Sequence, residues 1–346
     1  MTSSPPSTEG TASATATTPA PGRLERMARL AHDWVRAARR TSKRLEARAP
    51  RVIGFLRAVF YPCALALVGY MGYRAARETD LSQVHYWPLA FAVGAALVWW
   101  VALALGWAWL VDDGDPRVAV ASWCKTQVAR YMPGGIWQLV ARATTVRGRV
   151  RDKLTAVTAE NVIVLLVSLA IGGLWSVVHD WRWAALAVVA AAPLLASRWI
   201  ARHTKITVRS VRRTSASYAL GYVAYGVVGV LVQVAVSGLK DPTYPLYVAG
   251  AACIAWAVGL VVVFAPGGVG VRELVYIWML SGLYPRAELE AAAVTTRLVT
   301  VLAELAVLAV VWHLGRRREG AEPATATATS THEAPSELAE PSGSPT

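Results

Sequence analysis

Residues 214–239 and 242–271 contain no charged side chain at all. Each run is longer than the roughly 20 residues that carry a helix across the hydrocarbon core of a bilayer. Two such runs, separated only by Lys240 and Asp241, make the chain an integral, polytopic membrane protein. Composition agrees. Of 346 residues, 55% are hydrophobic and 16% charged, whereas a soluble domain carries roughly a quarter charged residues.

The net charge of +13 would suggest nucleic acid on a soluble protein. Here the basic residues fall in short segments between apolar runs, which the positive-inside rule explains without nucleic acid. Three cysteines (Cys63, Cys124, Cys253) lie apart in apolar surroundings and imply neither a disulfide nor a metal. The six histidines show no ligand spacing. No metal and no cofactor are expected.

Residues 1–22 and 316–346 are rich in Ser, Thr, Ala and Pro, too poor in apolar bulk to bury a core, and are expected to be disordered tails. Residues 23–51 place Leu24, Met27, Ala31, Trp34 and Ala38 on a rough helical stripe, with arginines over much of the rest. This predicts a basic amphipathic cytoplasmic segment, either lying on an anionic membrane surface or simply fixing topology.

The remainder, 52–315, is predicted to be an all-α helical bundle of about eight spans, near 56–73, 88–111, 154–178, 183–200, 216–238, 245–265, 268–285 and 291–314. Basic clusters at 142–153, 198–213 and 316–318 then fall on one side with the N-terminal segment. That side is cytoplasmic by the positive-inside rule, which puts both termini in the cytoplasm. Trp87, Trp181, Trp183, Trp199 and Trp312 fall near span ends, as an interfacial aromatic belt requires. Residues 118–141 are too apolar for a loop, yet carry Lys125 and Arg130 between cytoplasmic markers. A re-entrant or interfacial hairpin turning at Pro133–Gly135 fits both facts.

Several charges stand where a bilayer makes them costly. Glu160 lies two turns into a span, and Arg297 and Glu304 are seven residues apart on one face of the last, with Thr300 between them. Such residues either pair and hold the bundle together or line a hydrated pathway. Arg272 and Glu273 directly follow the break Pro266-Gly267-Gly268-Val269-Gly270. A helix restarting after that break aims unpaired N–H groups and the positive end of its dipole at one spot, an arrangement suited to an anion. Arg272 adds a donor fork that matches phosphate. Glycine-interrupted helices also mark binding sites in transporters.

The motifs "RYMPGGIWQLVAR" (130–142) and "FAPGGVGVREL" (264–274) together resemble the lysylphosphatidylglycerol synthase transmembrane-region family, a flippase-like membrane domain. Arg130, Tyr131, Pro133, Gly134 and Trp137 match its first motif, beside Gly135. Pro266, Gly267, Gly268, Gly270, Arg272 and Glu273 match its second. Glu160 and Arg297 resemble further family positions, and the likeness covers about 56–315. It implies a stand-alone, flippase-like domain with re-entrant helices in a bacterial cytoplasmic membrane, one that moves anionic lipids or lipid-linked intermediates across the bilayer. The chain runs into a polar tail soon after Arg318, so the aminoacyl-transferring synthetase of bifunctional members is not expected here.

On this reading a lipid phosphate is held by the N–H groups near Gly267–Gly270, by Arg272 and by Arg130 with its neighbour Arg142. It then passes along Glu160, Arg297 and Glu304. The partners are anionic or polyprenyl-linked lipids, with a homo-oligomer and a cell-envelope biosynthetic enzyme also admissible. Two other readings stay open: a membrane-embedded lipid-modifying enzyme such as a glycosyltransferase, and a non-transporting partner of a biosynthetic enzyme. For the enzyme, the one acidic cluster is Asp112-Asp113-Gly114-Asp115, which reads more simply as a solvated turn. No catalytic residue and no nucleotide-binding motif is found, and the chain is not expected to be an enzyme.

Overall fold

The computed structural model describes residues 84–111, 115–127, 150–195, 206–238, 241–262 and 266–319, with scattered positions between them. The segments 1–22 and 23–51, most of the first expected span 56–73, the turn at Pro133–Gly135 and residues 320–346 lie outside the described residues.

Among the described residues the helices are α1 (Tyr86–Val111), α2 (Pro116–Gln127), α3 (Val150–Ser176), α4 (Trp183–Leu195), α5 (Val208–Ser237), α6 (Tyr244–Val261), α7 (Val271–Leu280) and α8 (Arg286–Glu319). A short 3₁₀ turn, Pro266–Gly268, precedes α7. The ends of α5 show why the sequence starts and stops it there. Thr207 Oγ1 accepts the Ser210 N–H at 3.1 Å, an N-cap bond that satisfies an otherwise orphaned donor. At the other end Gly238 takes φ 69° and donates its N–H to the Val234 carbonyl. The helix therefore starts well before 216, taking Arg209, Arg212 and Arg213 into its first turns.

The helices pack through small residues and hydroxyls. Apolar burial drives little association in lipid, so close backbone approach and interhelical hydrogen bonds take over. On the antiparallel α1–α5 seam, the Tyr218 ring fills the space a side chain at Gly106 would need. Beside it Thr214 Oγ1 donates to the Gly106 carbonyl at 2.8 Å, and Ser217 Oγ to that of Ala102 at 2.7 Å. Helices α3 and α6 meet at Gly172, Gly250 and Ser176, and α5 meets α6 at Gly226 and Gly229. Phe91, Val98, Val101 and Leu105 on α1, and Leu298, Leu302 and Leu305 on α8, are large apolar residues left on the outside. A surface of that kind suits lipid rather than water.

Among the described residues five helices are long and apolar enough to cross a membrane: Tyr86–Val111, Leu154–Ser176, Val208–Ser237, Tyr244–Val261 and Arg286–His313. The expectation of about eight is not confirmed by this count, which leaves out most of the expected span 56–73. Of the expected span 183–200, α4 covers the first 13 residues, and residues 196 and 198–200 lie outside the described residues; 268–285 contains the 10-residue α7. At 1.5 Å per residue α7 reaches about 15 Å, short of a hydrocarbon core of roughly 30 Å.

The chain nevertheless travels back along α6 through this region. Arg272, at the start of α7, packs against Trp256 and Gly259 near the end of α6. Tyr247, near the start of α6, donates its hydroxyl to the Met279 carbonyl at 3.0 Å. Tyr284 then stacks edge-on against Tyr244 at 5.8 Å, so α8 departs from the level at which α6 began. The return is made by turns plus ten helical residues, because the glycines delay the helix.

The same contacts sort the chain into two ends. The starts of α1, α6 and α8 and the end of α5 share one end, where the His85 N–H meets the Ala235 carbonyl. The other end collects the start of α5 with its Arg209, Arg212 and Arg213, the end of α6, the Pro266–Gly270 break and the basic end of α8.

Candidate functional site

The break before α7 is built by left-handed backbone: Gly267, Gly268 and Gly270 have φ of 59°, 70° and 84°. An L side chain is disfavoured in that region, which is why glycines stand there. Gly268 does a second thing. A Cβ on it would come within 2.6 Å of Arg272 Nε and 3.0 Å of the Gly259 carbonyl oxygen. A Cβ on Gly259 would likewise run into the Arg272 stem. The two glycines thus open a slot into which Arg272 turns back, and its guanidinium carbon rests 3.4 Å from the centroid of the Trp256 ring. In a dry environment a cation on an indole face is held by about 2 kcal/mol.

Glu273 is the third residue of α7, inside the first turn, where the helix dipole favours a carboxylate. Its Oε1 accepts from Arg297 Nη1 of α8 at 2.9 Å. Its Oε2 is buried without a hydrogen-bond partner, as is Thr296 Oγ1 one residue before Arg297. Both residues, with Arg272, Arg297, Tyr225, Tyr276 and Thr300, line a cavity between α5, α6, α7 and α8. Tyr276 is fixed by donating its hydroxyl to Gln233 Oε1 at 3.0 Å. Some 40 Å³ is open to water centres, room for about three waters at roughly 10–15 Å³ each.

The cavity wall carries the Arg272 and Arg297 guanidinium groups and the Glu273 carboxylate.

A second buried ionic cluster lies nearer α2. Glu160 Oε1 accepts from both Arg142 Nη1 and, at 2.8 Å, Trp123 Nε1. The Arg142 guanidinium sits over Trp107 at 5.4 Å and Trp123 at 5.1 Å. Its Nε reaches Thr126 Oγ1 at 3.4 Å. Glu304 is equally buried, and Cys124 lies within electrostatic range of both Glu304 and Arg142. An aromatic layer separates this cluster from the cavity. Trp123 meets Trp100, Trp100 meets Trp99, and Trp99 packs on Tyr225 and Trp256, all with centroids 4.6–5.6 Å apart. Trp100 Nε1 also donates to the Thr300 carbonyl of α8 at 3.1 Å.

The residues singled out from sequence therefore separate. Arg272, Glu273 and Arg297 meet at one cavity, and Gly267, Gly268 and Gly270 shape the break beside it. Arg142 and Glu160 pair with each other, which is the structural alternative weighed for Glu160, and neither they nor Glu304 are among the residues lining the cavity. Arg130, Tyr131, Pro133, Gly134, Gly135 and Trp137 lie outside the described residues, as does the side chain of Pro266.

Sequence reasoning missed Trp256, Tyr225, Tyr276 and Thr296. One signal was available: Trp256 sits in the middle of an uncharged run, far from the interface where tryptophan normally concentrates. Of the acidic turn, Asp112 and Asp113 lie outside the described residues. Asp115 is exposed and caps α2, its Oδ1 accepting the Arg117 N–H at 2.8 Å. No protein-family model matches this chain, and no curated protein matches it.

Proposed function

We propose that this chain is a translocase that carries an anionic lipid, or a lipid-linked intermediate, across a bacterial cytoplasmic membrane. The observation that carries the reading is the cavity lined by Arg272, Arg297 and Glu273 inside a bundle with five candidate spanning helices. A purely structural bundle manages with small residues and hydroxyls. The two Pro-Gly-Gly motifs and their resemblance to a flippase-like domain support the same reading. Placing the basic ends of α5 and α8 in the cytoplasm puts the α7 break near the cytoplasmic face, where newly made lipid would be met.

The space between these side chains takes about three waters, less than a lipid headgroup, so loading the site would need an element to move. Opening falls to α7, the short element bounded by Gly267, Gly268 and Gly270 on one side and by Gly282, with φ 96°, on the other. The test is translocation of a labelled anionic phospholipid in proteoliposomes containing the wild type, Arg272→Ala or Arg297→Ala, each checked for folding. The variants are expected to lose most of the movement. Equal movement by folded variants sinks the assignment.

A further inference from the structure

Gln233 stands within an uncharged run and is buried. A polar side chain at such a depth either glues helices together or marks a pathway. Its partners extend along the bundle. Tyr276, which lines the cavity, donates its hydroxyl to Gln233 Oε1 at 3.0 Å. Gln233 Nε2 in turn donates to Ser237 Oγ at 2.8 Å. Ser237 is the last residue of α5 and only half-buried. It lies at the end where the His85 N–H meets the Ala235 carbonyl, away from Arg209, Arg212 and Arg213. Helix α7 runs toward that same end, where the Met279 carbonyl accepts from Tyr247. Tyr276 comes one turn after Glu273, about 4.5 Å further along the axis. The three side chains thus form a hydrogen-bonded column from the cavity to one end of the bundle.

We infer that this column is the cavity's way out to the end opposite the arginine-rich one, and that the Tyr276–Gln233 hydrogen bond is its gate. The inference rests on the translocase reading and deepens it, since a cavity that loads at the glycine break must discharge at the other end. Glue alone does not explain the pair. A hydrogen bond between two neutral groups inside a membrane protein stabilises it little, so Phe and Leu at these positions would hold α7 nearly as well. A weak bond is what a gate requires. Helix α7 packs chiefly on α6 and α8, and Tyr276 ties it across to α5. Its tie to α8, at Glu273, is ionic. Parting α7 from α5 is therefore the easier movement. Once they part, water from the cavity satisfies the Tyr276 hydroxyl and the Gln233 carboxamide, and both line the opening. Ser237 is a positioning residue: it engages the carboxamide nitrogen and leaves Oε1 for Tyr276.

The experiment follows labelling of Thr296→Cys, a buried position on the cavity wall, by a membrane-impermeant maleimide. It uses the full chain in right-side-out and inverted membrane vesicles, with the native thiols removed (Cys63→Ser, Cys124→Ala, Cys253→Ala). Trp181→Cys marks the face at which the column ends, because the nearby His179 stacks on Tyr247 at 4.1 Å. Tyr276→Phe keeps the ring and removes the donor. It should speed labelling of Thr296→Cys from the Trp181 face by about threefold or more, the weight of one such hydrogen bond, and leave labelling from the other face unchanged. Gln233→Leu should do the same. The double variant should label no faster than either single one, since both remove one bond. Unchanged rates, a rise from both faces alike, or additive gains in the double variant overturn the gate. The lipid assay with Arg272→Ala is read separately. Movement lost there without a change in labelling here sinks the gate alone; the expected labelling with movement intact in Arg272→Ala sinks the anion assignment alone.

Discussion

Replacing Gly268 by alanine tests whether the glycine break exists to seat Arg272. Two penalties are expected. The first is backbone strain, since Gly268 has φ 70° and an L residue in the left-handed region is disfavoured by about 1–2 kcal/mol. The second is displacement. The new Cβ would stand 2.6 Å from Arg272 Nε, and on its other side the Gly259 carbonyl oxygen and Cα, at 3.0 and 3.1 Å, are backbone atoms that cannot yield. Arg272 must therefore leave the Trp256 face, forfeiting about 2 kcal/mol. The sum is about 3–4 kcal/mol. Gly282→Ala is the control, because Gly282 also has positive φ, 96°, but nothing lies within 4 Å of its would-be Cβ. It should lose only the strain.

Unfolding free energies in mixed micelles, titrated with a denaturing detergent, give both numbers. A double-mutant cycle then isolates the displacement. In an Arg272→Ala background, Gly268→Ala should be milder by about 2 kcal/mol. Additive losses, or equal losses for Gly268→Ala and Gly282→Ala, would refute the seating argument.

Four further outcomes are expected. Glu160→Gln should destabilise the fold by about 3–5 kcal/mol, because Arg142 is left as a buried charge without its counter-ion. Trp123→Phe should lose about 1.5–3 kcal/mol, the worth of one hydrogen bond to a charged acceptor, and equal stability of all three proteins by the same titration contradicts the pairing. With Cys63 replaced by Ser, a membrane-impermeant maleimide on intact cells should label Trp181→Cys but reach Arg213→Cys only after permeabilisation; the native Cys124 and Cys253 are buried and should stay silent. Hydrogen exchange should find the amides of α7 opening before those of α6, since α7 is short and flanked by glycines; equal protection argues against α7 as the moving part.

Much of the fold was legible because lipid imposes a simple rule. Uncharged runs marked α1, α5 and α6 to within a few residues at most ends, as the absence of water leaves the backbone no alternative to a helix. What failed were lengths set by something other than hydropathy. The start of α5 was missed because Arg209, Arg212 and Arg213 look like loop residues, although Thr207 caps the helix before them. Segment 268–285 is apolar enough to read as a span, but three left-handed glycines consume its first part and the turn at Gly282 ends the helix early.

The site was legible in its charges and illegible in its pairings. Arg272 and Glu273 advertise themselves beside the break, and Arg297 stands out in an apolar helix. Nothing in the spacing reveals that Arg297 takes Glu273 across 24 residues while Glu160 takes Arg142. Nor does it reveal that Arg142 and Arg272 lie on tryptophan faces. Aromatic partners are silent in sequence because a tryptophan in a greasy run looks like any other apolar residue.

The two ion pairs differ in a way that assigns them different work. Arg142 is enclosed by Trp107, Trp123, Thr126 and Glu160, and the cavity does not reach it. A ligand entering there would have to break a buried pair and displace two indoles. The Glu273–Arg297 pair forms part of a cavity wall, has an oxygen to spare and joins two helices of unequal length. Helix α8 runs the depth of the bundle and is anchored to α1 by the Trp100–Thr300 bond. Helix α7 has ten residues, with Leu274 and Trp278 facing outward. A movement that parts the pair therefore displaces α7 and leaves α8 in place. On the translocase reading proposed above, α7 is the element that would move, and the Arg142–Glu160 cluster, set apart from the cavity, would stay in place.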